Sequence, residues 1–190
     1  MGLTAHEDCV VIVIDAQPGF HPPDLADADH AAAAQALDRA AWLVALATRL
    51  EIPVVVTEEE PEVNGPTDPR LAAAPAFVKP TFGLAGTPAI LEAVLQTGRT
   101  TAILVGFETD VCVAQSAIGL VDLAFRAVVP EDAVYTNSAV EHERGLVRMT
   151  GAGVERNHCK GLTFEWLHTV DRALETFPEA AALGTPPWRL

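Results

Sequence analysis

The chain has 190 residues, 49% hydrophobic and 20% charged, with a formal net charge of −14. That length and composition predict one globular domain over residues 1–190 with a sizeable core, and argue against disorder. The acidity speaks against a nucleic-acid partner, because phosphate binding needs clustered Lys and Arg, and no apolar run approaches the ~20 residues that span a bilayer.

Val10-Val11-Ile12-Val13-Ile14 is a β-branched run ending at Asp15, the pattern of a parallel-sheet strand buried on both faces. Asp29 is placed to cap a helix over residues 31–50, where Leu37, Ala40, Ala41, Val44 and Ala47 recur near helical spacing. Residues 53–57 predict a second buried strand, and 58–80, rich in Pro, Gly, Asn and Glu, predict an irregular loop. Thr87-Pro88 opens a helix that runs to about Gln96 and stops at Gly98. A strand over 101–105 ends at Gly106 and feeds a helix over 110–125. Strands are expected at 127–129 and 154–157, and between them Ser138 and Glu141 form a capping box for a helix to about Thr150. A last helix is expected at 164–174, then a Pro-rich arm over 177–190 suited to a dimer contact.

Strand and helix alternate without repeats or low-complexity linkers. The predicted fold class is α/β: a three-layer α/β/α architecture with a doubly wound, mainly parallel sheet. Such sheets bind ligands beyond the carboxyl ends of their strands, so Asp15, Thr57 and the segment from Gly106 to Cys112 matter most.

Cys9, Cys112 and Cys159 form neither a CxxC pair nor a zinc motif, and an odd count does not suggest a disulfide framework. With residues 1–8 lacking the basic opening of a signal peptide, the expected location is cytoplasmic. Cys112 falls in the first turn of its expected helix. There, unpaired N–H groups and the positive dipole end favour a thiolate and can receive an oxyanion. Cys112 also reads as a small buried hydrophobe, as Cys9 and Cys159 do. Asp15 reads as a loop cap or as a catalytic carboxylate. Lys79, in Phe77-Val78-Lys79-Pro80, is by itself a surface cation. Beside a carboxylate and a thiol it would lower the thiol pKa and keep Asp15 ionised as a base. Gln17 stands where a haloacid-dehalogenase-type phosphatase needs its second Asp, and no GxGxxG or GxxxxGK[ST] phosphate cradle occurs.

Taken together, these residues resemble the isochorismatase-like cysteine hydrolase superfamily, which includes isochorismatases, nicotinamidases and N-carbamoylsarcosine amidohydrolases. Asp15-Ala16-Gln17-Pro18-Gly19-Phe20 matches its Asp-x-Gln-x-x-Phe signature, Lys79 its mid-chain lysine, and Ile103-Leu104-Val105-Gly106 through Cys112-Val113 its nucleophile segment. The resemblance implies Asp15, Lys79 and Cys112 as the catalytic set. It also implies a cis peptide at Phe107–Glu108 that turns N–H groups near Val111 and Cys112 toward an oxyanion, and a homo-oligomer. Gln17, Phe20, Glu58 and Glu108 are the expected substrate-facing residues. Glu108 reads equally as a solvated turn acid, Glu58 more readily as one, and His142 and His158 as structural or surface residues.

The resemblance divides by branch. The metal-binding Asp-x-His pattern of nicotinamidases has no counterpart after Thr57, so neither a metal nor another cofactor is expected. Asn64-Gly65-Pro66 resembles the YcaC-like hydrolases. The implied function is cleavage of a C–N bond in a small amide or ureido substrate through an acyl-enzyme on Cys112. Ether or ester hydrolysis of an isochorismate-like acid, or a binding or scaffold role, are the alternatives.

Overall fold

The computed structural model of the chain describes residues 2–179 and 186–187. Its strands are β1 (Cys9–Ile14), β2 (Val54–Glu58), β3 (Ala76–Val78), β4 (Thr101–Phe107), β5 (Arg126–Pro130), β6 (Val134–Tyr135) and β7 (Glu155–Asn157). The helices are α1 (Asp27–Arg49), α2 (Pro61–Asn64), α3 (Pro88–Gln96), α4 (Ala114–Asp122), α5 (Ala139–Gly151), α6 (Cys159–Leu167) and α7 (Val170–Glu179). All strand pairs are parallel, in the order β3-β2-β1-β4-β5-β7, with β6 added beside the end of β4.

Every residue of β1 is buried, and the two-residue pleat period divides its side chains between two cores. Cys9, Val11 and Val13 join Ala36, Leu37, Leu43 and Ala47 of α1 and Leu162 and Trp166 of α6. Val10, Ile12 and Ile14 join Ile90 of α3, Ala117 and Leu120 of α4 and Leu146 and Met149 of α5. Helices therefore cover both faces of the sheet in three layers, as the continuous apolar strands predict.

The strand order reverses between β1 and β4, the topological switch point at which such sheets open a ligand crevice. Register levels the strand ends there, because Ile14 pairs with Thr57 of β2 and with Gly106 of β4. Gly106 has φ +118°, and a Cβ on it would lie 2.0 Å from the Ile14 carbonyl oxygen, so β4 can approach β1 this closely only with glycine.

Several expectations need correction. Asp29 does not cap α1, which starts at Asp27. Asp29 lies inside the first turn, where its carboxylate suits the dipole and accepts from the Tyr135 hydroxyl at 2.6 Å. The expected loop over 58–80 contains α2 and β3. The three-residue edge strand is too short for a periodic signal, but its backbone completes the β2 ladder. Residues 110–125 are not one α-helix. They open with a π-helical turn, Thr109–Val113, before α4, and β6 was not foreseen. The helix expected at 164–174 is two helices, broken at His168 with φ +62°. Of the expected arm, residues 177–179 end α7, and 180–185 and 188–190 lie outside the described residues.

Candidate active site

Asp15 follows β1 directly and turns out of the strand with φ +43°. Its N–H donates to the Thr57 carbonyl at 3.2 Å, and the Thr57 hydroxyl donates to Oδ1 at 2.8 Å. Lys79 follows β3, its N–H held by the Glu58 carbonyl at 2.9 Å. The ammonium reaches inward across the end of β2 to Asp15 Oδ2 at 2.6 Å, and both side chains are fully buried. Lys79 Nζ also meets the Thr81 carbonyl at 3.1 Å, Glu59 Oε2 at 3.3 Å and Cys112 Sγ at 3.5 Å. The triple expected from the sequence thus converges at the switch point.

Cys112 lies in the π-helical turn, a device frequent at functional sites. The Phe107–Glu108 peptide ahead of it is cis. Helix α5 packs against the turn. The Thr109 hydroxyl is 2.9 Å from His142 Nδ1, and a Cβ on Gly145 would lie 2.8 Å from Asp110 Cα. His142 therefore has a partner. So does His158, whose Nδ1 accepts the Gly161 N–H at the start of α6.

The electrostatics correct one expectation. Burial pushes the Cys112 thiol well above its usual range and the Asp15 charge pushes it further, while Lys79 only partly opposes them. Burial and the Asp15 charge both act to hold Cys112 as a thiol, against the dipole-stabilised thiolate that a helix start suggested. Burial also raises Asp15, against the pull of Lys79. For Lys79, burial acts downward but Asp15 and its other anionic neighbours outweigh it, so the ammonium stays charged. A raised carboxylate beside a protonated thiol is a suitable proton acceptor.

Glu59 is the site residue that sequence reasoning missed. The Cys112 thiol donates to its Oε2 at 3.2 Å. The available signal was the acidic run Glu58-Glu59-Glu60 at the carboxyl end of β2; its first member, Glu58, was singled out instead. Glu58 Oε1 accepts from the Thr67 N–H and hydroxyl, each at 2.7 Å, and anchors a loop. Gln17 is likewise not open to a ligand. Its Nε2 donates to the carbonyls of Glu59 and Gly65 at 3.1 and 2.6 Å, and its Oε1 accepts the Glu59 N–H at 2.7 Å. Phe20 packs against the α1-side core. The Val111 N–H is donated to the Glu108 carbonyl at 3.2 Å, which removes it from the expected oxyanion pair. The Glu108 carboxylate accepts from Asn137 Nδ2 at 2.6 Å; burial raises its pKa, as do the charges of Asp110 and Glu59.

Asp15, Glu59 and Cys112 bring one donor atom each within 4.8 Å of one another, a spacing that suits a metal ion. The Lys79 ammonium already contacts all three, so the cation of this cluster is the lysine. Beside it opens a pocket of about 420 Å³, lined by Glu59, Glu60, Lys79, Val78 and Phe82 among others.

The chain is thus a doubly wound α/β protein with a buried Cys–Lys–carboxylate cluster at its switch point. The isochorismatase domain model matches residues 9–156, and the chain belongs to that family. It is 31% identical over 131 residues to isochorismatase domain-containing protein 2 of Xenopus laevis, covering 67% of this chain and 63% of the relative. The Bos taurus protein of the same name is 30% identical over 134 residues, with 65% of it covered, so the chain spans slightly under two thirds of these relatives. Among solved structures, YcaC from Pseudomonas aeruginosa with hexane-2,5-diol and covalent acrylamide superposes with TM-score 0.79 at 24% identity, over 95% of both chains. YcaC of Escherichia coli, described as an octameric hydrolase of unknown specificity, gives 0.75 at 22% over 96% of this chain and 95% of its own. MAR1 ribonuclease of Caenorhabditis elegans gives 0.83 at 22%, over 98% of this chain and 95% of its own. These structural likenesses establish the fold. No helix among the described residues is long and apolar enough to cross a membrane.

Proposed function

We propose that this protein is a cysteine-dependent hydrolase of a C–N bond in a small amide or ureido compound, with Cys112 as nucleophile, Asp15 as proton carrier and Lys79 as their electrostatic partner. The observation that carries this reading is the single buried ammonium in contact with both Asp15 and Cys112. Asp15 takes the thiol proton as Sγ attacks the carbonyl carbon. Lys79 and the Cys112 N–H stabilise the oxyanion, since the Val111 N–H is occupied. The C–N bond breaks as Asp15 returns the proton to nitrogen, releasing the amine and leaving a thioester. Water then gives a proton to Asp15 and its oxygen to the acyl carbon. The C–S bond breaks and sulfur recovers the proton.

The raised pKa of Asp15 supports its role, because a more basic carboxylate is a better acceptor from a thiol. The covalent acrylamide on a neighbour of the same fold agrees with an amide-sized pocket beside a reactive group. Three free, buried cysteines suit a reducing cytoplasm. The octameric neighbour supports a homo-oligomer here, and a net charge of −14 opposes a nucleic-acid substrate.

A panel of small amides and ureido compounds, assayed for amine release, tests the reading. Wild type turns over at least one, and Cys112→Ala loses on the order of 10⁴-fold or more in kcat. Turnover that survives in Cys112→Ala overturns the covalent route and favours ether cleavage.

A further inference from the structure

The mechanism above leaves one carboxylate on the nucleophile unexplained. Glu59 sits one residue beyond β2 and shares its Oε2 between the Cys112 thiol at 3.2 Å and Lys79 Nζ at 3.3 Å. Its backbone is clamped on both sides, by Gln17 through the N–H and carbonyl and by Asn64 Nδ2 at 2.8 Å on the same carbonyl. A loop held this way fixes the carboxylate and does not leave it free to swing into solvent. Among the described residues Glu59 Oε1 accepts no hydrogen bond, and the side chain keeps 17% of its surface, on the wall of the 420 Å³ pocket.

The charge of this centre is unbalanced. Asp15 and Glu59 bring two negative charges against the single positive charge of Lys79, and the thiol is neutral. Glu60 adds a further carboxylate to the same wall. The same pocket is lined by two exposed apolar residues, Val78 and Phe82, 58% and 54% exposed. Carboxylates and an exposed aromatic residue lining one pocket suit a cation, which gains from carboxylate charge and from an aromatic ring. The same field repels a carboxylate substrate, and partial burial keeps solvent from screening it fully.

The geometry points to Glu59 as the specificity-determining residue of this site, selecting an amide or ureido compound that carries a protonated amino or guanidino group and rejecting carboxylate-bearing ones. This rests on the reading of Cys112 as nucleophile. It adds a mode of activation: a cation bound beside Glu59 offsets part of the negative charge that adds to burial in disfavouring the thiolate, so Cys112 becomes easier to ionise when the right substrate is in place.

Alkylating probes of different charge test this without a known substrate. Cys112 modification by iodoacetate, iodoacetamide and 2-bromoethylamine is followed at each cysteine by peptide mass spectrometry and normalised to 2-mercaptoethanol. Wild type prefers the cationic over the anionic probe by at least 100-fold, and Glu59→Gln compresses that ratio at least tenfold. A matched pair of substrates, β-alaninamide and butyramide, shows the same compression in kcat/KM. An unchanged ratio in Glu59→Gln overturns the proposal. Should that variant fail to fold, a wild-type ratio no greater than that of 2-mercaptoethanol overturns it instead. Failure of the nucleophile reading looks different, because no probe of any charge would then favour Cys112 over Cys9 and Cys159.

Discussion

Lys79 Nζ lies 2.6 Å from Asp15 Oδ2, and neither side chain exposes any surface. Two consecutive parallel pairings, β1 with β2 and β2 with β3, bring together residues 64 positions apart, so the site depends on the sheet being complete at its edge. Charges withdrawn from water this far hold each other in place, and each also sets the protonation of the thiol beside them.

Breaking such a pair on one side leaves an uncompensated buried charge at a cost of ~3–5 kcal/mol. Lys79→Met should therefore lower the unfolding free energy by about 3 kcal/mol in urea titrations. The double variant Asp15→Asn/Lys79→Met should recover much of that loss. A double variant no more stable than Lys79→Met would show that the pair does not act as a unit.

The two partners act oppositely on the thiol. The Asp15 charge raises the Cys112 pKa and Lys79 lowers it. Asp15→Asn should shift thiolate absorbance at 240 nm to lower pH, and Lys79→Met should shift it to higher pH. Turnover nonetheless falls in both, by ~10²–10⁴-fold for the lost proton carrier. A variant with more thiolate and less activity identifies Asp15 as the base and separates that role from a purely electrostatic one.

Burial raises all three thiols, Cys9 to about 12 and Cys112 and Cys159 beyond the usual thiol range. The folded chain therefore keeps protons that the unfolded chain releases. That contribution to stability is complete below the unfolded thiol pKa of ~8.5 and is lost as pH rises above it. Urea midpoints should fall between pH 8.5 and 10, and Cys112→Ser should flatten part of the slope; the pH values follow from the ordinary thiol range of about 8.5.

Only Cys112 among the cysteines touches residues of the pocket wall. Iodoacetamide at neutral pH should modify it at least tenfold faster than Cys9 or Cys159, despite its raised pKa, because Asp15 beside it can take the proton as sulfur attacks. Equal modification of the three, mapped by mass spectrometry, would contradict the assignment.

Gly106→Ala would drive a Cβ to 2.0 Å from the Ile14 carbonyl oxygen at φ +118°. Overpacking and backbone strain together should cost about 3 kcal/mol or more, read from urea unfolding. Because Asp15 and the Cys112 turn follow the two strands at this contact, activity should fall more than stability alone explains.

The centre of the sheet was legible because β1, β2, β4 and β5 carry apolar, largely β-branched runs, as burial on both faces requires. The site was legible in part for the same reason. Asp15 ends β1, and Cys112 lies in the turn after β4, so the places where those runs stop mark the ligand crevice. Lys79 was recognisable only by resemblance, because β3 is three residues long and carries no period of its own.

The sequence by itself determined the layered parallel sheet, the ends of β1 and β4 as the place of the candidate site, and the types of residue that meet there. Tertiary structure decided which neighbouring acid enters the site. Glu58 ends β2 and turns to Thr67, while Glu59, one residue on, reaches the thiol. In an extended chain a shift of one position reverses the side-chain direction, and composition does not record it. Tertiary structure also decided the state of Cys112. A helix start favours a thiolate, but burial and the Asp15 carboxylate outweigh that local field, and both arise only when distant strands are brought side by side.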